Sequence, residues 1–118
     1  MAQVLILNAD DREAQAIRAA CESEGRSVVV ASSEVDAWAE LTLRSPQCAV
    51  VGGGIAVAQR MSDSFPKIPL ILLGPARERG ESPPPRAVER VLERPIAAVA
   101  LAGEVESVIH EIHGGGSH

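Results

Sequence analysis

Two short stretches of this chain carry groups that could do chemistry. Asn8-Ala9-Asp10-Asp11 follows the aliphatic run Val4–Leu7, and adjacent carboxylates there are hard oxygen donors of the kind a divalent cation takes. Gly52-Gly53-Gly54 follows the run Cys48–Val51, and glycines that leave a strand for a helix let backbone N–H groups approach a phosphate. Gly52 and Gly54 meet the first two requirements of a dinucleotide fingerprint. The third position, however, is Val57, and the next aliphatic run ends in Leu73-Gly74-Pro75 with no acid for a ribose. Glycines that merely turn the chain are the better account. Asp10 and Asp11 equally suit the cap of a helix, and with no third carboxylate at Gly52 a cation there would be held poorly.

The remaining reactive residue types point to structure. His110 and His113 lie one helical turn apart, but the sequence places no third ligand and Glu111 falls on another side, so the C-terminal end of a helix dipole explains them and no metal is expected. Cys48 sits in an apolar run with no neighbouring base and reads as core, and Ser32 and Ser33 read as caps. Cys21 and Cys48 have no metal-ligand spacing; two lone cysteines fit a reducing compartment, and a cytoplasmic location is expected.

The 118 residues make one domain, and 46% hydrophobic content gives an ordinary core, built from Val, Ile, Leu and Ala because Trp38 and Phe65 are the only aromatics. The formal charge is −5 and no Lys/Arg cluster with interleaved aromatics occurs, which argues against direct contact with nucleic acid. No signal peptide and no apolar run of membrane-spanning length is visible, so no membrane partner is expected. The domain is read as residues 1–113, and 114–118 (GGGSH) as a flexible appended tail.

The elements needed to position those loops can be read in order. Val4–Leu7 is a buried strand, Asn8 or Asp10 caps a helix over Asp11–Glu24, and Gly25 stands at its left-handed C′ position. Ser27–Ala31 is the second strand. Ser32 or Ser33 caps a helix carrying Val35, Trp38, Ala39, Leu41 and Thr42 on its apolar side, with Trp38 packed on the sheet, until Ser45-Pro46 stops it. Cys48–Val51 and Leu70–Leu73 are further strands, with a short helix over the residues after the glycines. The polar segment that opens at Gly74 leaves room for a short fourth helix near Arg86–Arg90, then a weak strand over Val91–Glu93. Ala97–Ile112 forms a last helix with Val99, Leu101, Ala102, Val105, Val108, Ile109 and Ile112 on a wide apolar face. This alternation predicts an α/β protein, a flavodoxin-like (βα)5 doubly wound parallel sheet in strand order 2-1-3-4-5, with its switch point between strands 1 and 3.

The whole pattern, VLILNADDREAQAIRAACESEG, PQCAVVGGG, IPLILLG and VLERPI, resembles the receiver domain of bacterial response regulators. In that family the first strand ends in an acidic pair that binds Mg²⁺, the third in the phosphoacceptor Asp, the fourth in Ser or Thr and the fifth in Lys-Pro. Aligned by strands, this chain offers Asn8 and Ala9 at the acidic pair, with Asp10 and Asp11 following one or two residues late. Gly52 stands at the phosphoacceptor, Gly74 at the hydroxyl, Arg94 at the lysine and Val91 at the coupling aromatic. Phosphoryl transfer needs the carboxylate nucleophile, the metal ligands and the hydroxyl together. The resemblance therefore implies a receiver that is not phosphorylated, has no catalytic residue and needs no cofactor. It also makes a cis Arg94-Pro95 bond plausible.

Within degenerate receivers, LRSPQCAVVGG, FPKIPLILLG and VLERPI are similar to the N-terminal domain of FleQ- and FlrA-type flagellar regulators. That resemblance implies a homodimerising regulatory domain ahead of a σ54-contacting AAA+ ATPase module and a DNA-binding domain; cyclic di-GMP binds the ATPase module in FleQ-like proteins and is carried onto no residue here. The expected dimer face is the fourth helix, fifth strand and last helix, with Val88, Val91 and Leu92 near Ala98, Val105 and Glu106, and Arg86, Arg90 and Glu104 as rim charges. A stand-alone adaptor with the same fold is the alternative, and a true nucleotide module is a third reading.

Overall fold

Strand β1 (Val4–Leu7), helix α1 (Asp11–Ser23), β2 (Val28–Ala31), α2 (Glu34–Arg44), β3 (Cys48–Val51), α3 (Ile55–Ser64), β4 (Leu70–Gly74), β5 (Val88–Glu93) and α4 (Ala98–Ile109) follow one another along the chain, and a π-helical turn, His110–Gly114, continues α4. The structure is a computed structural model that describes residues 3–52, 54–74, 88–93 and 96–114. The five strands form one parallel sheet in the order β2-β1-β3-β4-β5, the order expected from the sequence. β1 pairs on both sides: Val4 lies opposite Val28 and Cys48, and Leu7 opposite Ala31 and Val51.

Both faces of the sheet are covered, which is why its central strands are aliphatic at every position. Side chains alternate across a strand, and the two cores divide accordingly. Val4, Ile6, Cys48, Val50, Ile71 and Leu73 pack with Ala14 and Ile17 of α1 and Leu101 and Val105 of α4. Leu5, Leu7, Ala49, Val51, Leu70 and Leu72 pack with Ala37 and Leu41 of α2 and Ala58 and Met61 of α3. Trp38 closes the second core, meeting Phe65 edge to face with ring centroids 5.9 Å apart.

The helix ends follow local chemistry. Asp10 caps α1, accepting hydrogen bonds from the Arg12 and Glu13 N–H groups, and Ser33 caps α2 through the Asp36 N–H. Gly25, at φ 87°, terminates α1: its N–H donates to the Glu22 carbonyl at 3.0 Å and the Arg26 N–H to the Cys21 carbonyl at 3.2 Å, the paired bonds of a Schellman motif. Ser45 takes a left-handed conformation that ends α2 ahead of Pro46.

Three expectations change. Val88–Arg90 begin β5 instead of a short fourth helix; Glu89 and Arg90 make the stretch look helical, but the strand pairs with β4 and absorbs an extra residue between Leu70–Val88 and Ile71–Arg90. The α-helical part of the last helix stops at Ile109, and Val99 is 79% exposed and Ile112 46%, so neither belongs to its buried face. Val35 is likewise 80% exposed, and Ala39 and Thr42 are exposed beside it, so the buried side of α2 is narrower than its apolar content suggests. Arg86, the polar segment before it and the Arg94-Pro95 bond lie outside the described residues.

Candidate functional site

The sheet reverses its winding between β1 and β3, and the crevice beyond their C-terminal ends is where a doubly wound fold places its ligands. Asn8–Asp10 leaves β1 there, Gly52 and Gly54 leave β3, and Gly74 is the last residue of β4. The structure thus brings together Asn8, Ala9, Asp10, Gly52 and Gly74 on the loops of one sheet edge. Arg94 lies outside the described residues.

The polar groups at this edge bind each other. Asn8 is only 4% exposed; its carbonyl oxygen Oδ1 accepts the Asp10 N–H at 2.8 Å and its Nδ2 donates to Glu13 Oε1 at 2.6 Å. Asp10 Oδ1 in turn accepts the Arg12 and Glu13 N–H groups at 3.0 and 3.2 Å. This is a capping box widened by one residue: Glu13, at N3, reaches Asn8 instead of the cap's own N–H, which Asn8 satisfies. The sequence reading missed Glu13. The signal was present as Asp10-x-x-Glu13, an acid three residues after a cap.

At the ends of β3 and β4 the described positions are Gly52, Gly54 and Gly74, which carry no side-chain functional group. Gly54, with φ 100° and ψ 171°, caps α3 in a conformation open essentially to glycine alone, so it is a turn residue whatever lies in front of it. Gly52 donates its N–H to the Leu7 carbonyl at 2.7 Å, tying the end of β3 to β1. Gly74 is buried, yet among the described residues a Cβ there would meet no atom within 4 Å.

A Mg²⁺ ion, which the receiver fold implies, does not fit this donor set. The Asn8 carboxamide is committed to Asp10 and Glu13, one Asp10 oxygen is held by two backbone N–H groups, and Gly52 supplies no oxygen from a side chain. Among the described residues no group of three His, Cys, Asp or Glu side chains is placed to hold a metal ion. His110 opens the terminal π turn, and Glu111 is paired with Arg90 at 2.6 Å.

The expected dimer face is also altered. Val105 is fully buried beneath α4 and can present nothing to a partner. Leu92 packs on the α1/α4 core, and Val88 and Val91 pack on the α2/α3 core. Arg90 is bound within the chain, donating to Glu104 at 3.2 Å and to Glu111; Glu106 forms a two-pronged ion pair with Arg26 at 2.8 and 2.9 Å. These acids and bases clasp β5 and the turn between α1 and β2 to the last helix and are not free rim charges. Ala98 remains partly exposed. The two cysteines are buried, and burial is the main cause that pushes the Cys21 thiol up to about 11 and that of Cys48 to about 12, which leaves neither available as a thiolate nucleophile near neutral pH.

No protein-family model and no curated protein sequence matches the chain. Solved structures do. A response regulator receiver domain protein from Clostridium thermocellum superposes with a TM-score of 0.72 at 18% identity, over 94% of this chain and 96% of that one. A CheY-like receiver domain protein from Methanospirillum hungatei gives 0.78 at 13% identity over 98% and 99%. NtrX from Brucella abortus, solved in complex with ADP, gives 0.79 at 18% identity over 94% of this chain but only 27% of its own. Among the described residues no helix is long and apolar enough to cross a membrane. The chain has the flavodoxin-like fold of response regulator receiver domains, with a switch-point edge occupied by a self-satisfied cap and glycines.

Proposed function

We propose that this is a receiver-fold regulatory domain that works without phosphorylation and is not an enzyme. The observation that carries the reading is Gly52 at the end of β3: a carboxylate nucleophile is needed there, and a residue without a side chain takes its place. Asn8 bound to Glu13 and Gly74 at the end of β4 support it, since the metal ligands and the hydroxyl are missing with the nucleophile.

In this reading the domain is a cytoplasmic N-terminal module of a σ54-dependent, FleQ-type flagellar regulator. It pairs with a second copy and so sets how readily an attached AAA+ ATPase assembles. The match to 27% of an NtrX chain crystallised with ADP favours a place within a larger nucleotide-binding protein. Matches that span nearly the whole of other receiver chains favour a second reading, a free-standing adaptor. Reading the genomic frame downstream of His113 separates the two. A GxxxxGK[ST] motif and a σ54-contacting loop are expected; a stop codon in their place sinks the activator reading and leaves the adaptor.

A further inference from the structure

The two edges of the sheet are finished differently. β5 carries Glu89, Arg90 and Glu93 and slips register against β4 between Leu70 and Ile71; charge and an irregular ladder are the devices that keep a foreign strand off an edge. β2 has neither. Val28–Ala31 holds no charged side chain and no proline, and its register with β1 runs unbroken. The Ser27 and Ala31 carbonyls accept the Val4 and Asn8 N–H groups at 3.1 and 3.0 Å, so Ser27, Val29 and Ala31 turn their backbone groups toward β1. By the alternation of a ladder, Val28 and Val30 turn theirs away from it, and among the described residues no strand lies beyond β2 to receive them.

An open groove of about 460 Å³ follows that outer edge, lined by Val28, Val29 and Val30, with Asp11 and Arg18 of α1 on one flank and Asp36 of α2 on the other. Hydrogen bonding fixes the kind of occupant: extended backbone presents N–H and C=O groups at the spacing that Val28 and Val30 offer. Charge fixes which extended backbone. Arg18 is the cation that lines the groove among the described residues, and it is paired with Glu22 at 3.2 Å; Arg12, next to Asp11, does not line it. Asp11 and Asp36 have no ion-pair partner among the described residues. They stand in the first turns of α1 and α2, and so flank the end where the chain leaves β2. A second copy of this edge brings the same two acids and, in its lining, no free cation. A strand that ends in Lys or Arg brings the missing charge.

We propose that the outer edge of β2 is a docking site for an extended segment of another protein, which pairs with Val28 and Val30 through its backbone and sets a Lys or Arg beside Asp11 and Asp36. Such a site needs neither phosphorylation nor a second copy of the chain, so it stands apart from the dimer reading. A short free peptide loses chain entropy when it docks, so its binding falls in the millimolar range.

Amide hydrogen exchange, read residue by residue by nuclear magnetic resonance, tests it. The probe is a capped hexapeptide, Lys-Val-Thr-Val-Thr-Lys, whose lysine at each end serves either strand direction. At saturating peptide the Val28 and Val30 amides should exchange at least about ten-fold more slowly, while the Val29 amide, already turned to β1, changes little. The same peptide with glutamate in place of both lysines should bind at least about five-fold more weakly, and so should the lysine peptide to the double variant Asp11→Asn with Asp36→Asn. Both residues are exposed and neither is a helix cap, so the variant should keep the amide spectrum of the folded chain. If no β2 amide slows at several millimolar peptide, the edge receives no strand. If the glutamate peptide protects as well as the lysine one, the acids do not select the occupant. If Val28 and Val30 are protected in the free chain, and more so as its own concentration rises, a second copy holds the edge. Each of these three results overturns the proposal.

Discussion

Gly54→Ala and Gly74→Ala form a matched pair that separates two reasons for a glycine. Gly54 sits at φ 100° and ψ 171°, and a non-glycine residue forced there costs of order 1–3 kcal/mol. Among the described residues a Cβ at 54 would meet nothing within 4 Å, so no steric clash with them adds to the backbone term. Among the described residues nothing crowds the missing Cβ of Gly74 either, but its backbone needs no positive φ. Alanine there should be neutral or stabilising by up to about 1 kcal/mol, because it restricts the unfolded chain. With an unfolding entropy of about 2.1 cal/mol/K per residue, 1 kcal/mol corresponds to roughly 4 °C in Tm for a domain of this length. Gly54→Ala should therefore melt about 4–12 °C below the unaltered chain, and Gly74→Ala at or slightly above it. Scanning calorimetry of the three proteins is the assay. Equal melting temperatures for the two variants would refute the account of Gly54 as a turn residue.

Asp10→Ala removes the α1 cap and should lower stability by about 1 kcal/mol in urea unfolding; Mg²⁺ should raise the melting temperature of neither protein, since Asp10 serves the helix and not an ion. Arg26→Leu breaks the two bonds to Glu106 and leaves that carboxylate partly buried at 30% exposure; a loss of about 1.5–3 kcal/mol is expected by the same assay. The cysteines supply a pH signature. Folding raises both thiols from an ordinary 9.0, to about 11 for Cys21 and about 12 for Cys48. The folded chain thus keeps protons that the unfolded chain releases. The stability this gives is fully present below pH 9 and is lost as pH rises toward those values. Urea midpoints should fall between pH 9 and 11, and the double change Cys21→Ala with Cys48→Ala should flatten the fall.

The sheet was legible because its strands are covered on both faces: VLIL, CAVV and LILL admit few other readings, and the helices between them fix the order. The glycines at the switch point were legible too, since aligning the strands is enough to place Gly52 and Gly74 there. What the sequence hid depends on contacts made across the fold. The bond from Asn8 to Glu13 exists because the β1 loop folds back over the first turn of α1. Glu89 and Arg90 resemble the start of a helix until an adjacent strand supplies hydrogen-bond partners for their backbone. Val35 and Val105 show the same limit in opposite directions. Periodicity counts apolar residues on a helix but does not say which of them a neighbour covers, so Val35 reads as inward and is exposed, while Val105, on the apolar face by periodicity and on the dimer face by resemblance, is fully buried.

Treatment with acetyl phosphate and Mg²⁺, followed by intact-mass measurement, tests the central claim most directly. A chain with Gly52 where the nucleophile belongs should gain no phosphoryl group at any incubation time. A hydroxylamine-sensitive adduct, the mark of an acyl phosphate, would show that another carboxylate near this edge accepts phosphate and would contradict the account.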